Sequence, residues 1–178
     1  MSNLDKLWVY DDEFTFSQRH FLFEFILKSK FIIGGMDSEV PESPTPNLPF
    51  LISEWSAEDL NRCKVLDDIH SEDLYNRIGN RNLRRCLVNL DFSREIHHPH
   101  THNHNDVLIY QANMEWRPEW YGETLFYDDK MEEIIYANQY TPGRLIYFDG
   151  TVPHMFRPPS RSAPYYRFTL SMFFDKKE

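Results

Sequence analysis

The sequence predicts a mostly β fold of sandwich or barrel type, with helices in its first third lying against one face. Two observations carry that expectation. Helix-like periodicity and capping signals are confined to residues before Gly79. After Asn80, short apolar segments follow one another with turn residues between them. A third observation concerns function: residues 97–104 read HHPHTHNH, five of the chain's eight histidines in eight positions.

Taken in order, residues 15–30 (TFSQRHFLFEFILKSK) place Phe16, Phe21, Phe23, Ile26 and Leu27 at roughly helical spacing. Residues 36–49 (MDSEVPESPTPNLP), rich in Pro, Ser and acids, read as an extended loop. Ser56-Ala57-Glu58-Asp59 resembles a helix start, with a capping hydroxyl and acids in the first turn, and Leu60, Cys63, Leu66 and Ile69 continue one face. A further short helix runs from Ser71 to Ile78 and stops at Gly79. The strand candidates are RCLVNLDF, VLIYQANMEW, ETLFYDD, EEIIYA, GRLIYFDG and YYRFTLSMFF. Residues 1–80 are thus expected as a helical support for a β core over 81–175, all within one domain, since 178 residues suit a single core.

Composition narrows the function classes. Fourteen Phe, ten Tyr and four Trp supply abundant apolar surface. A net charge of −9 argues against a nucleic-acid or anionic-membrane binder that works through a broad basic field. Cys63 and Cys86 are too few for a disulfide framework or a cysteine-based zinc site, which suits a reducing compartment. The N-terminal stretch has no apolar core of a signal peptide, and no apolar run approaches membrane-spanning length. The expected setting is the cytoplasm.

Imidazole is the commonest side-chain ligand for iron, zinc, copper and nickel. On an extended segment His98, His100 and His102 share one face. His100 and His102 sit at the end of a strand, with residues 103–106 as a loop before the next. A third ligand is available at His154, directly after the apolar strand GRLIYFDG. Three protein ligands with open positions describe a catalytic metal site. The competing reading is a solvated histidine-rich loop.

The segments LIYQANMEWRPEWYGETLFYDD, PGRLIYFDGTVPH and YYRFTLSMFF resemble the iron(II)- and 2-oxoglutarate-dependent dioxygenases. Within these they are most similar to the prolyl-4-hydroxylase-like group with its small bacterial and phage-type members. The resemblance spans roughly residues 81 to 175 and implies a double-stranded β-helix (a jelly roll) flanked by helices. It implies His154 as the distal iron ligand, Arg167 as the arginine that pairs with the far carboxylate of 2-oxoglutarate, and Tyr110 as a tyrosine bonding the same carboxylate. The cofactors implied are Fe(II), 2-oxoglutarate as cosubstrate and O2, with ascorbate as an accessory reductant. The substrate implied is a peptidyl proline or similar side chain, with a small molecule as the other option.

One departure stands out. The family's first two ligands are a His-x-Asp pair, whereas the matching position here holds His100-Thr101-His102. The literal string His-x-Asp occurs at His104-Asn105-Asp106, but it would leave no loop before Val107. His100 and His102 are therefore the favoured metal ligands with His154, and Asp106 remains the rival to His102 or a partner that orients a ligand imidazole. His97, His98 and His104 read as exposed polar residues. A non-catalytic histidine-based metal-binding module stays open as a rival function.

Overall fold

The computed structural model describes residues 2–35, 50–79, 81–93, 97–102, 105–163 and 166–176. The expected loop 36–49 and His104 lie outside the described residues. In chain order the elements are β1 (Leu7–Tyr10), α1 (Phe16–Leu27), β2 (Ile32–Gly35), β3 (Phe50–Glu54), α2 (Ala57–Cys63), α3 (Glu72–Ile78) and β4 (Leu83–Asp91). There follow β5 (Asn105–Gln111), β6 (Thr124–Tyr127), β7 (Ile134–Asn138), β8 (Leu145–Asp149), β9 (His154–Phe156) and β10 (Arg167–Asp175). None of the described helices is long and apolar enough to cross a membrane.

The helices begin where short polar side chains satisfy their first amide groups. Thr15 and Gln18 form a reciprocal capping box on α1, Ser56 and Asp59 another on α2, and Ser71 accepts from Leu74 N on α3. Each such cap stabilises its helix by about 1 kcal/mol. α2 ends at Cys63 because Lys64 turns into the left-handed region at φ 53°. The face expected to continue through Leu66 and Ile69 is therefore not one helix, although Ile69 is still buried. α1 buries Leu22 and Ile26, whereas Phe16, Phe21 and Leu27 are exposed. Its apolar residues surround most of the helix, so periodicity alone does not select the docked face.

Seven strands form one antiparallel sheet in the order β1-β8-β5-β10-β4-β3-β2, and three form a second in the order β7-β6-β9. His100 pairs with His154 across an isolated antiparallel bridge and extends the smaller sheet beyond β9. From β4 onward the chain passes back and forth between the sheets, apart from the β6–β7 hairpin within the smaller one, which makes the core a double-stranded β-helix. Residues 1–80 are more than helical support: β1 lines up on β8, and β3 lines up on β4 with β2 outside it.

Two apolar layers result. Leu22, Ile26, Trp55, Leu60 and Leu74 from the helical side meet Val88, Leu108, Tyr110, Leu145, Leu170 and Met172 on the outer face of the large sheet. Val107, Ile109, Ile146 and Phe148 on its inner face meet Phe126 and Val152 between the sheets. Strand alternation sorts neighbours into opposite layers: Trp8 and Tyr10 pack outward, Leu7 and Val9 inward.

Candidate metal centre

His100, His102 and His154 come together, with one ligand atom from each lying within 4.8 Å of the others. Their ring centroids are 4.6 to 5.2 Å apart. The backbone sets this up directly. His100 N and O pair with His154 O and N, each at 3.0 Å, so the two rings stand side by side on adjacent strands. His102 N donates to Gly150 O at 2.7 Å, which holds the third ring against the turn before β9. Gly150 has to be a glycine here: a Cβ would lie 2.1 Å from Asn105 O and 2.3 Å from His102 O.

Tautomers follow from the partners. His100 Nδ1 is 2.9 Å from His98 O, and His154 Nδ1 is 3.0 Å from Val152 O. A carbonyl only accepts, so both Nδ1 atoms carry the proton, which makes Nε2 the lone-pair nitrogen of each ring. His154 is buried, and burial, then the neighbouring His100 and His102, hold its pKa well below the ordinary histidine value. It is thus neutral near pH 7, the state a metal requires. Phe148, Phe126 and Phe173 ring the site, with Phe148 4.6 Å from His154 and Phe173 4.9 Å from His102. Three neutral nitrogen donors suit Fe(II), Zn(II) or Ni(II), so these residues fit a resident divalent metal.

Arg167 opens β10 with its side chain fully buried. Its Nε donates to Gly122 O at 2.9 Å, and Nη1 donates to Asp91, its register partner on β4. The guanidinium carbon lies 4.5 Å from the Phe156 ring centre and 5.0 Å from that of Tyr140. Phe156 is two residues along β9 from His154, so Arg167 sits one strand repeat, about 7 Å along the strand, from the histidines. Gly122, at φ +87°, admits the arginine closely: a Cβ would come within 3.1 Å of Arg167 Cδ. Further along the inner face, Asn89 Nδ2 donates to Ser171 Oγ at 3.0 Å and reaches Thr169 Oγ1 at 3.3 Å. These groups, with Gln111 and Thr124, make a buried polar lining in the β-helix.

Other expected residues lie elsewhere. Tyr110 is on the outer face of β5, edge-on to Phe14 at 5.4 Å, with its hydroxyl pushed up to about 12 by burial. Alternation turns Ile109 and Gln111, not Tyr110, toward the inner chamber. The structure therefore does not bring Tyr110 to Arg167. Asp106 is also excluded from the site. β5 starts at Asn105, two residues before the expected Val107, and Asp106 faces outward to Arg81 and the Tyr147 hydroxyl, the latter at 2.7 Å. Neither a ligand role nor an orienting role for Asp106 survives this placement. His97 is buried with its Nε2 3.9 Å from Asp91 Oδ1, contrary to the expected exposure. Trp116 donates to Tyr121 O at 2.7 Å and packs on Trp120 and Tyr140. Arg157 pairs with Glu123 and stacks on Tyr121. Asp128 caps the exposed hairpin by accepting from Glu132 N and Glu133 N.

No motif in the sequence marks Asp91 or the Asn89–Thr169–Ser171 cluster. The available signal was a pair of polar residues, Asn89 and Asp91, at i and i+2 within the apolar run LVNLDF.

No family model matches the chain, and no curated protein matches it in sequence. Solved structures do. A Trichoplax adhaerens prolyl hydroxylase in complex with a hypoxia inducible factor oxygen degradation domain peptide superposes with a TM-score of 0.65 at 15% identity, covering 97% of this chain and 84% of that one. A 2OG-Fe(II) oxygenase family oxidoreductase from Burkholderia pseudomallei superposes at 0.68 with 11% identity, over 98% and 87% of the two chains. HygX from Streptomyces hygroscopicus, with nickel and 2-oxoglutarate bound, superposes at 0.61 with 8% identity, over 97% and 83%. At these identities the likeness establishes the fold: this chain has the jelly-roll architecture of the 2-oxoglutarate oxygenases.

Proposed function

We propose that the protein is an Fe(II)- and 2-oxoglutarate-dependent dioxygenase that hydroxylates a peptidyl, prolyl-like side chain. The observation that carries this reading is the convergence of half-buried His100 and His102 with buried His154, one strand repeat from the buried Arg167. Iron bound there would couple oxidative decarboxylation of 2-oxoglutarate by O2 to substrate hydroxylation, giving succinate and CO2. The chain's own residues prepare that chemistry. His100 and His154 present Nε2 lone pairs fixed by their backbone acceptors, and His102 completes the face. The phenylalanine rings exclude water from one side of the site. Arg167 offers a guanidinium nitrogen to the far carboxylate of the cosubstrate. The likeness to the peptide-bound prolyl hydroxylase supports a peptide substrate.

The test is anaerobic. Protein loaded with Fe(II) should develop a visible metal-to-ligand charge-transfer band when 2-oxoglutarate is added, and should release succinate when O2 and a proline-containing peptide follow. Tight metal binding with neither band nor succinate would instead identify a metal-binding module. Succinate release with a small hydroxylatable compound but no peptide would shift the substrate class.

A further inference from the structure

We infer that Asp91 sets the cosubstrate selectivity of this site by occupying Arg167, so that the protein discriminates weakly between dicarboxylate and monocarboxylate 2-oxo acids. This rests on the reading above.

Arg167 and Asp91 face each other in register across β10 and β4, with side chains 0% and 1% exposed. Of the three guanidinium nitrogens, Nε is spent on Gly122 O and Nη1 on Asp91 Oδ2. Nη2 and Asp91 Oδ1 are buried with no hydrogen-bond partner among the described residues. An incoming carboxylate therefore finds one uncommitted nitrogen, Nη2, rather than a wholly free guanidinium. It finds a charge already compensated, and it must approach Asp91, which repels it. The metal end is the opposite case. Three neutral imidazoles leave both positive charges of a divalent ion uncompensated, where a carboxylate ligand would remove one. The negative charge that His102 does not supply at the metal is supplied by Asp91 at the arginine. Attraction for a 2-oxo acid is thereby concentrated on its chelating head, which every 2-oxo acid shares.

The experiment compares two ligands on the full chain loaded with Ni(II), by calorimetry. One is 2-oxoglutarate; the other is 2-oxobutyrate, which keeps the chelating head and lacks the far carboxylate. In the unmodified protein the two dissociation constants should agree within about tenfold. Asp91→Asn keeps an acceptor for Nη1 but frees the charge of Arg167. It should tighten 2-oxoglutarate by about tenfold or more, the scale of a hydrogen bond between charged groups, and leave 2-oxobutyrate unchanged. A gain in affinity cannot come from a damaged fold. If Asp91→Asn does not fold, the ratio in the unmodified protein decides: a preference for 2-oxoglutarate of a hundredfold or more overturns the inference. So does an Asp91→Asn protein in which 2-oxoglutarate is unchanged or weaker. Both results leave the dioxygenase reading standing. Metal-loaded protein that binds neither acid overturns that reading and this inference together.

Discussion

The ligand assignment is tested most sharply by a pair of substitutions, His102→Ala and Asp106→Asn. The two positions belong to rival readings of one histidine-rich stretch, and the structure places them apart, His102 with His100 and His154, Asp106 with Arg81 and Tyr147. Asp106 lies on the outer face of β5 beside Arg81, with side chains 8% and 12% exposed. Removing one charge of a buried pair costs about 3–5 kcal/mol. Asparagine keeps an acceptor for the Tyr147 hydroxyl, so the lower end, about 3 kcal/mol, applies. For a chain of 178 residues each kcal/mol lowers Tm by about 2–4 °C, so Asp106→Asn should melt roughly 6–12 °C lower. Its metal affinity and stoichiometry should not change. His102→Ala should do the reverse. Losing even an outer partner of a metal ligand costs about 10–100-fold in affinity, and losing the ligand costs at least as much. The metal-free variant should stay within roughly 1 kcal/mol of the parent, since His102 is only half-buried. Scanning fluorimetry without metal and Ni(II) titration against a competing chelator give both quantities. Folded Asp106→Asn without metal, alongside His102→Ala that still binds it, would refute the reasoning.

Three further outcomes are expected. Gly150→Ala should weaken Ni(II) binding by at least about tenfold, because its Cβ collides with the carbonyl of His102, whereas Gly34→Ala, whose Cβ meets nothing closer than 3.6 Å, should leave it unchanged. Metal-free protein should lose stability as pH falls below 6.5: His154 stays neutral in the fold while the unfolded chain takes up a proton, so its contribution is full above that value and lost below it. A denaturation midpoint that does not move between about pH 7.5 and 5.5 would contradict this. Burial raises the Cys63 thiol to about 11 and the Cys86 thiol further, so alkylation at about pH 8 should be slow in the native protein and rapid in urea.

Much of the fold was legible because the later strands are written as separate apolar runs and the helices carry their caps in sequence. Ser56 with Asp59 and Ser71 before Leu74 mark helix starts within a residue. β1 and β3 were not legible. LWVY and FLISE are four and five residues long, and each becomes a strand only because an edge of the large sheet, β8 for one and β4 for the other, is there to receive it. That information is tertiary, and no local pattern contains it.

The site divides along the same line. His100 and His102 were legible as a pair because positions i and i+2 beside a strand end need only local geometry, whereas His154 joins them through its pairing with His100. Tyr110 failed on phase. In VLIY every residue is apolar or aromatic, so nothing says which alternate set faces the chamber, and a shift of one residue exchanges Tyr110 for Ile109 and Gln111. Asp91 failed for a different reason. Its meaning comes from standing opposite Arg167, and that register joins residues 76 apart in the chain.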